Sequence, residues 1–321
     1  MAEGSVTRVR VFAPATVSNV GPGFDVLGFA LHRPGDEVEA ELTDRPGVSL
    51  AAVDGEGGRL PTDPLRNSAG VAAACVLARA GAGPSGRGVS LRLHKGLPLA
   101  SGLGSSGASA AAGAVAVNEL LGRPCTPGDL VACAMEGERA ACGSAHADNV
   151  APSVLGGFVL VRSYDPLDLV RLPVPDGLFV AVVHPHCRVS TKEARARLAS
   201  MRFALPAIVA NLGNLAALVA ALHQGNLALL GRAIDDRLVE PVRAAMIPGF
   251  DAVKRAALEA GALGCSISGS GPSMFAFAER DDEAARVLQA MRATFRDAAG
   301  LASDGWVGPI SREGARVVGQ S

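Results

Sequence analysis

Between Leu97 and Ser109 the chain reads LPLASGLGSSGAS and runs directly into an alanine-rich stretch ending near Leu121. Glycines at 102, 104 and 107 permit positive φ and let the backbone approach a neighbour or a ligand closely. The helix expected behind them, from about Ser106 to Leu121, is stopped by Gly122 and Pro124. Its first-turn N–H groups and the positive end of its dipole point back at the loop. Loop and helix together make an anion site, most naturally for phosphate. The loop serines can bond phosphate oxygens or ligate a metal. With no ligand, the same residues are a tight turn that caps a helix.

Other glycine-loop chemistries fit less well. Gly102-x-Gly104-x-x-Gly107 formally matches the dinucleotide fingerprint, but that motif follows a strand directly. Here Lys95 to Ser101, including Pro98, intervenes, and no acidic residue ends a second strand about 20 residues on. The Gly-Lys-Ser/Thr ending of a Walker loop is absent, as are His-Arg-Asp and Asp-Phe-Gly.

The 321 residues suggest two domains, and a 49% hydrophobic content supplies a full core, which excludes a disordered chain. With 30 basic and 31 acidic side chains the net charge is −1, so no nucleic-acid footprint is expected. No uninterrupted apolar run approaches membrane-spanning length, so no membrane partner is expected. The start, Met1 to Arg8, lacks a basic segment followed by an apolar one, and a cytoplasmic setting is expected. Cysteines 75, 125, 133, 142, 187 and 265 form no CxxC pair; reduced, scattered thiols are expected, with no disulfide framework or zinc site. Arginine outnumbers lysine 27 to 3. That bias, and the abundance of alanine and glycine, is read as a base-composition effect.

Strands are expected at Val6–Phe12, Phe24–Leu31, Glu37–Leu42, Val89–His94, Phe158–Arg162, Leu178–Val183, Cys265–Ser268, Ser273–Ala278 and Gly305–Pro309. Pro34-Gly35 is expected to separate the second from the third. Helices are expected at Asn67–Ala80, from Thr126-Pro127 to about Ala140, twice or more between Thr191 and Arg232, and at Phe250–Ala260 and Asp281–Phe295. This irregular mixture implies an α+β fold, with a boundary near Ser163–Asp168.

The loop resembles the signature of the GHMP kinases, the superfamily of galactokinase, homoserine kinase, mevalonate kinase and phosphomevalonate kinase. Ala13–Gly28 (APATVSNVGPGFDVLG) is similar to the N-terminal motif of its homoserine kinase branch, and Gly264–Ser273 (GCSISGSGPS) to the C-terminal glycine-rich motif. His146–Pro152 and Ser190–Arg195 also resemble that branch. The resemblance covers about residues 6 to 278. It implies a two-domain α+β architecture: an N-terminal phosphate-loop domain, residues 1–165, and a C-terminal ferredoxin-like domain, residues 166–321. It also implies ATP and Mg2+ as cofactors, L-homoserine as the phosphoryl acceptor and a homodimer. A kinase of another small alcohol and a non-catalytic amino-acid sensor are the alternatives.

The resemblance also assigns roles. Pro98, Leu99, Ala100, Ser101, Gly102, Leu103, Gly104, Ser105, Ser106, Gly107 and Ala108 would surround the nucleotide, and Lys95, at the loop's entrance, would also bind it. Asn67 would lie beside adenine, although alone it reads as a helix cap. Ser106 and Glu138 would hold the metal, with Glu136 as the nearby competitor. Asn19 and Asp25 flank Gly21-Pro22-Gly23 and would bind the amino acid, Asp25 facing its ammonium; an Asx-type turn is their other reading. Thr191, Arg195, Arg243 and His146 would complete that pocket, the arginines as carboxylate forks. Where several GHMP kinases place an aspartate base, this chain has Asn149, which cannot take a proton. Direct attack by a hydroxyl oriented by Asn149 is expected, with Asp148 the alternative base. Ser268–Gly271 would brace the site.

Overall fold

In the computed structural model, residues 7–81 and 87–321 are described, the side chain of Cys142 excepted. Val6, the expected start of the first strand, lies outside them. In chain order the elements are β1 (Arg8–Ser18), β2 (Leu27–Thr43), β3 (Val48–Asp54), α1 (Ser68–Arg79), β4 (Gly88–His94), α2 (Ser105–Leu120), α3 (Pro127–Cys142), α4 (Ala147–Leu155), β5 (Phe158–Tyr164), β6 (Leu167–Leu172) and β7 (Phe179–Pro185). There follow α5 (Thr191–Ala199), α6 (Leu205–Gln224), α7 (Leu227–Ala233), α8 (Glu240–Ala244), α9 (Phe250–Glu259), β8 (Gly264–Ile267), β9 (Met274–Ala278), α10 (Asp281–Ala299), β10 (Ser303–Pro309) and β11 (Arg316–Gln320).

The strands form two sheets. The first runs β11-β1-β2-β4-β3, with the β5–β6 hairpin joined to β2; the second, antiparallel, runs β10-β7-β9-β8. The structure thus has the mixed α+β architecture that the sequence implies. β2 is one 17-residue strand, not two. Its pairing with β1 carries it past Pro34-Gly35, with only a register shift between Pro14 and Thr16. Cooperative pairing along both flanks outweighs the local turn preference of Pro-Gly. The β5–β6 hairpin spans residues 165 and 166, and β11 returns to the first sheet beside β1.

Helix α2 is walled in by α1, α3, α4 and the first sheet. Ala108, Ala110, Ala111, Ala112, Ala114 and Ala116 are all fully buried along it. A Cβ on Gly113 would sit 2.5 Å from the Ala69 carbonyl, so the helices approach too closely for larger side chains. Here alanine content has a packing reason beyond base composition. Cys75 on α1 and Cys133 on α3 form a disulfide, with Cα atoms 5.3 Å apart. This corrects the expectation of reduced thiols at these two positions, because the same close helix packing brings them together across 58 residues of sequence. Cys125, Cys187 and Cys265 remain free.

The sheets meet through four aromatic rings. Phe29 of β2 lies 5.0 Å from Phe158 of β5, 5.8 Å from Phe275 and 5.4 Å from Phe277, both of β9. Large buried rings in mutual contact fix the sheets to each other, and so fix the walls of the cleft beside them. By length and composition α6 could cross a membrane, with 20 residues and a mean hydropathy of 1.9, which the reading of uninterrupted apolar runs did not anticipate. Its buried Asn211 nevertheless donates to the Pro22 carbonyl and accepts from Arg237 N–H, tying the helix to the motif at 19–25.

Candidate active site

A cavity of about 650 Å³ opens where the two sheets meet. The loop from Leu99 to Gly104 forms one wall, Leu103 excepted. Gly104 takes φ +65° as the N-cap of α2, where no side chain caps the helix. Gly102 takes φ +80°, and a Cβ there would lie 2.5 Å from the Ser268 carbonyl. The Ser268 hydroxyl donates to the Gly102 carbonyl at 2.7 Å, and Ser273 N–H donates to the Ser101 carbonyl at 3.2 Å. The glycine-rich segment after β8 thus packs directly beneath the loop. Replacing Gly104 by alanine would place a Cβ 2.1 Å from Thr16 Oγ1 and strain a left-handed position. We expect Gly104→Ala to lower turnover by about a hundredfold or more, as read by steady-state kinetics.

Ser106, in the first turn of α2, donates to Glu138 Oε2 at 2.6 Å. Glu138 is 5% exposed, and its Oε1 lies 3.4 Å from His146 Nδ1. Glu136, the competitor, points outward into an ion pair with Arg139. Ser106 and Glu138 supply two hard oxygen donors at the cavity wall, the donor class magnesium prefers while keeping water ligands. No group of three or more His, Cys, Asp or Glu side chains suited to a metal occurs among the described residues.

Most residues expected at the nucleotide reach the cavity, among them Leu99, Ala100, Ser101, Ser105 and Asn67. Pro98, Leu103, Gly107 and Ala108 do not line it. Leu103 and Ala108 are fully buried in the core between the sheets, and a Cβ on Gly107 would lie 3.4 Å from Val150 Cγ2. Asn67 caps α1, accepting from Ala69 N–H at 3.1 Å while donating to the Pro61 carbonyl at 2.9 Å. Lys95 also borders the cavity, although its side chain is only 1% exposed. It donates to Asp36, to the Ser105 carbonyl at 2.6 Å and to Ser109 Oγ at 2.9 Å, so its three ammonium hydrogens all have protein acceptors.

The far end of the cavity is charged. Asn19 and Asp25 take positive φ, +70° and +58°. Asn19 accepts from Asp25 N–H at 3.0 Å and donates to the Gly269 carbonyl at 2.8 Å. Its amide therefore closes the turn, and the Asp25 carboxylate faces Arg195. That pair is bidentate, at 2.7 and 2.9 Å. Arg243 is 3% exposed and donates to the Gly269 carbonyl at 2.7 Å. Burial first, then the nearby Arg195 charge, lower its pKa to about 10. Asp236 holds α8 in place by accepting from the N–H groups of Leu238, Val239 and Glu240 at 2.8, 2.9 and 2.9 Å. The α8 turn in turn carries Arg243. Thr191 Oγ1 lies 3.0 Å from Ser270 Oγ at the rim.

Asn149 and Asp148 open α4, which His146 precedes at the N-cap. Asn149 Oδ1 lies 3.5 Å from Thr16 Oγ1. Asp148 is 1% exposed and its Oδ1 has no hydrogen-bond partner. Burial chiefly, and then the Asp25 charge, raise its pKa to about 7, while His146 and Arg195 pull it down. The unfolded chain loses that proton near 3.8, but the folded chain keeps it to about 7. Between those values the folded state holds the extra proton. Stability attributable to this group therefore falls as pH rises through the window and is level above it. Compared with wild type, Asp148→Asn should gain melting temperature on going from pH 4.5 to pH 8, with the difference flat above about pH 7.5.

Several contacts escape sequence reasoning. Phe24 lies under both guanidinium groups, 5.6 Å from Arg195 and 5.0 Å from Arg243. The Tyr164 hydroxyl donates to the Asp25 carbonyl at 2.9 Å. Phe24 sits inside the quoted motif and could have been noticed there. Tyr164 has no local signal.

A glycine loop on a helix N-terminus, two hard oxygens and a charged acceptor pocket in one cleft define a small-molecule phosphotransferase. Family models agree: that of the GHMP kinases N terminal domain matches residues 67–157, and that of the GHMP kinases C terminal matches residues 218–297. The chain belongs to the GHMP kinases. Homoserine kinases from Chloroherpeton thalassium and Arabidopsis thaliana are 51% and 46% identical to it, each over 97% of this chain and over 99% and 84% of theirs. The crystal structure of homoserine kinase from Cytophaga hutchinsonii matches with a TM-score of 0.94 at 50% identity, covering 99% of both chains. Within the superfamily, this chain is a member of the homoserine kinase family. A mevalonate kinase from L. major, at 18% identity and TM-score 0.73, shares the fold.

Proposed function

We propose that the chain transfers the γ-phosphoryl of ATP to the side-chain hydroxyl of L-homoserine, without a dedicated protein base. The observation that carries the acceptor reading is the charge arrangement at the end of the cavity. Asp25, Asp148, Arg195 and Arg243 line one pocket, two carboxyl groups and two guanidinium groups, the complement of a zwitterion. Asp25 and Arg195 neutralise each other across it. An amino acid entering between them gives Asp25 an ammonium and the arginines a carboxylate, so the exchange keeps every charge paired. Asp148 adds a second acceptor for the ammonium. Thr191 and His146 close the pocket.

At the other end, the backbone of the Pro98–Gly104 loop and the N-terminus of α2 hold the polyphosphate. Ser106 and Glu138 are the residues that would hold Mg2+, which when bound neutralises phosphate charge. Asn149, beside Gly104, orients the acceptor hydroxyl. Its amide cannot accept the proton, which passes to an oxygen of the transferred phosphoryl group and then to water as ADP leaves, so positioning and electrostatics supply the rate. The adenine lies on the side of α1 and Asn67. A homodimer and a cytoplasmic setting complete this reading.

The acceptor test measures ADP release from Mg·ATP with L-homoserine, mevalonate or galactose in turn. Homoserine alone should support turnover. Turnover on mevalonate or galactose instead would identify another small-alcohol kinase, and homoserine-dependent thermal stabilisation without ADP would identify a sensor. The base-free step is tested with Asn149→Ala and Asp148→Ala. If Asp148→Ala alone abolishes turnover while leaving homoserine binding intact, Asp148 is the base and this step is wrong.

A further inference from the structure

We propose that Asp36 and Lys95 are positioning residues: a buried clamp that fixes the width of the phosphate loop and acts on the nucleotide through the loop, without touching it. The inference rests on reading that loop as the polyphosphate site. Asp36 lies on β2 opposite Ala13 of β1 and is fully buried. Its Oδ1 accepts from the backbone N–H groups of Gly96 and Leu97, at 3.0 and 3.1 Å. Its Oδ2 accepts from the Ser109 hydroxyl at 2.6 Å and from the Lys95 ammonium. Lys95 also donates to the Ser105 carbonyl at 2.6 Å and to Ser109 Oγ at 2.9 Å.

Gly96 and Leu97 are where the chain enters the loop; Ser105 and Ser109 belong to the first turns of the helix where it leaves. Both shoulders hang on one carboxylate and one ammonium. A buried ion pair adds little net stability over an apolar pair of the same shape, whereas removing one partner strands the other. What this pair supplies is a fixed distance between the two shoulders. Backbone amides aimed at phosphate oxygens are effective only when that distance is held. With its hydrogens engaged by Asp36, Ser105 and Ser109, Lys95 offers none to a phosphate oxygen.

This separates the clamp from the obvious alternative, in which Lys95 binds phosphate directly. If it did, Asp36→Asn would remove its counter-charge and leave nucleotide binding as tight or tighter. If the pair is a clamp, Asp36→Asn and Lys95→Met weaken binding alike, and the double variant is no worse than the weaker single. The experiment is calorimetric titration of the full chain with Mg·AMP-PNP and, separately, with L-homoserine. Each single variant should bind Mg·AMP-PNP about tenfold or more weakly, with homoserine affinity within about threefold of wild type. Asp36→Asn binding the nucleotide as well as wild type would overturn the proposal, as would equal proportional losses for both ligands. If the single variants do not fold, the uncharged pair Asp36→Asn/Lys95→Met and the milder Ser109→Ala carry the same test. Weakened nucleotide binding in both supports the clamp, and wild-type affinity in both overturns it. Wild-type protein that fails to take up Mg·AMP-PNP would refute the reading of the loop itself, and the clamp with it, before any variant is made.

Discussion

Glu138→Gln is expected to lower kcat by about a thousandfold while leaving the fold intact. The substitution is nearly isosteric, and its carboxamide oxygen can still accept from Ser106, which now donates at 2.6 Å. What disappears is the inward-facing carboxylate that Ser106 bonds, whereas Glu136 pairs outward with Arg139. A neutral ligand cannot offset the cation's charge, and the γ-phosphoryl loses the electrostatic support that phosphoryl transfer mainly depends on. The check is a magnesium titration of the steady-state rate together with a melting curve. The account predicts a collapsed kcat, an increased magnesium requirement and a melting temperature within a few degrees of wild type. A kcat within about fivefold of wild type would remove Glu138 from the metal site.

The second large effect is on the acceptor. Arg243→Met should raise the KM for homoserine by about a hundredfold, with the KM for ATP nearly unchanged. Arg243 is 3% exposed, held by the Gly269 carbonyl and the face of Phe24, and its Nε has no hydrogen-bond partner. Burial first, and then the neighbouring Arg195 charge, lower its pKa to about 10. An incoming carboxylate relieves that cost and completes charge-assisted hydrogen bonds, so the arginine is organised for an anion in advance. Methionine keeps the aliphatic stem as far as the Nε position but removes the charge and the guanidinium that lies on Phe24. Initial rates against homoserine at saturating ATP would measure the effect. A KM within threefold of wild type would assign the carboxylate to other groups.

How much of this was readable from the sequence follows from the range of each interaction. Helix caps are local, so Asn67 and the Thr126-Pro127 pair placed α1 and α3 to within a residue or two. The glycine loop and the helix behind it were readable for the same reason. The continuity of β2 through Pro34-Gly35 was not, because its pairing with β1 decides it. β11 was missed because it is defined only by pairing with a strand at the other end of the chain. α4 was missed because Pro152 lies inside it and reads locally as a breaker. In the site, motif residues such as Asn19, Asp25 and Ser106 could be named from their neighbours. The tie between Asp36 and Lys95, the seat of the two arginines on Phe24, and the Cys75–Cys133 bond each join distant segments. They become visible only when the chain is folded.

The most direct measurement is a crystal structure of the chain with Mg·AMP-PNP and L-homoserine bound. The account predicts the β- and γ-phosphates within hydrogen-bonding distance of backbone N–H groups between Ser101 and Gly107, the ion against Ser106 and Glu138, and the homoserine carboxylate on Arg195 and Arg243. Phosphates seated elsewhere, with this loop facing away from them, would contradict it.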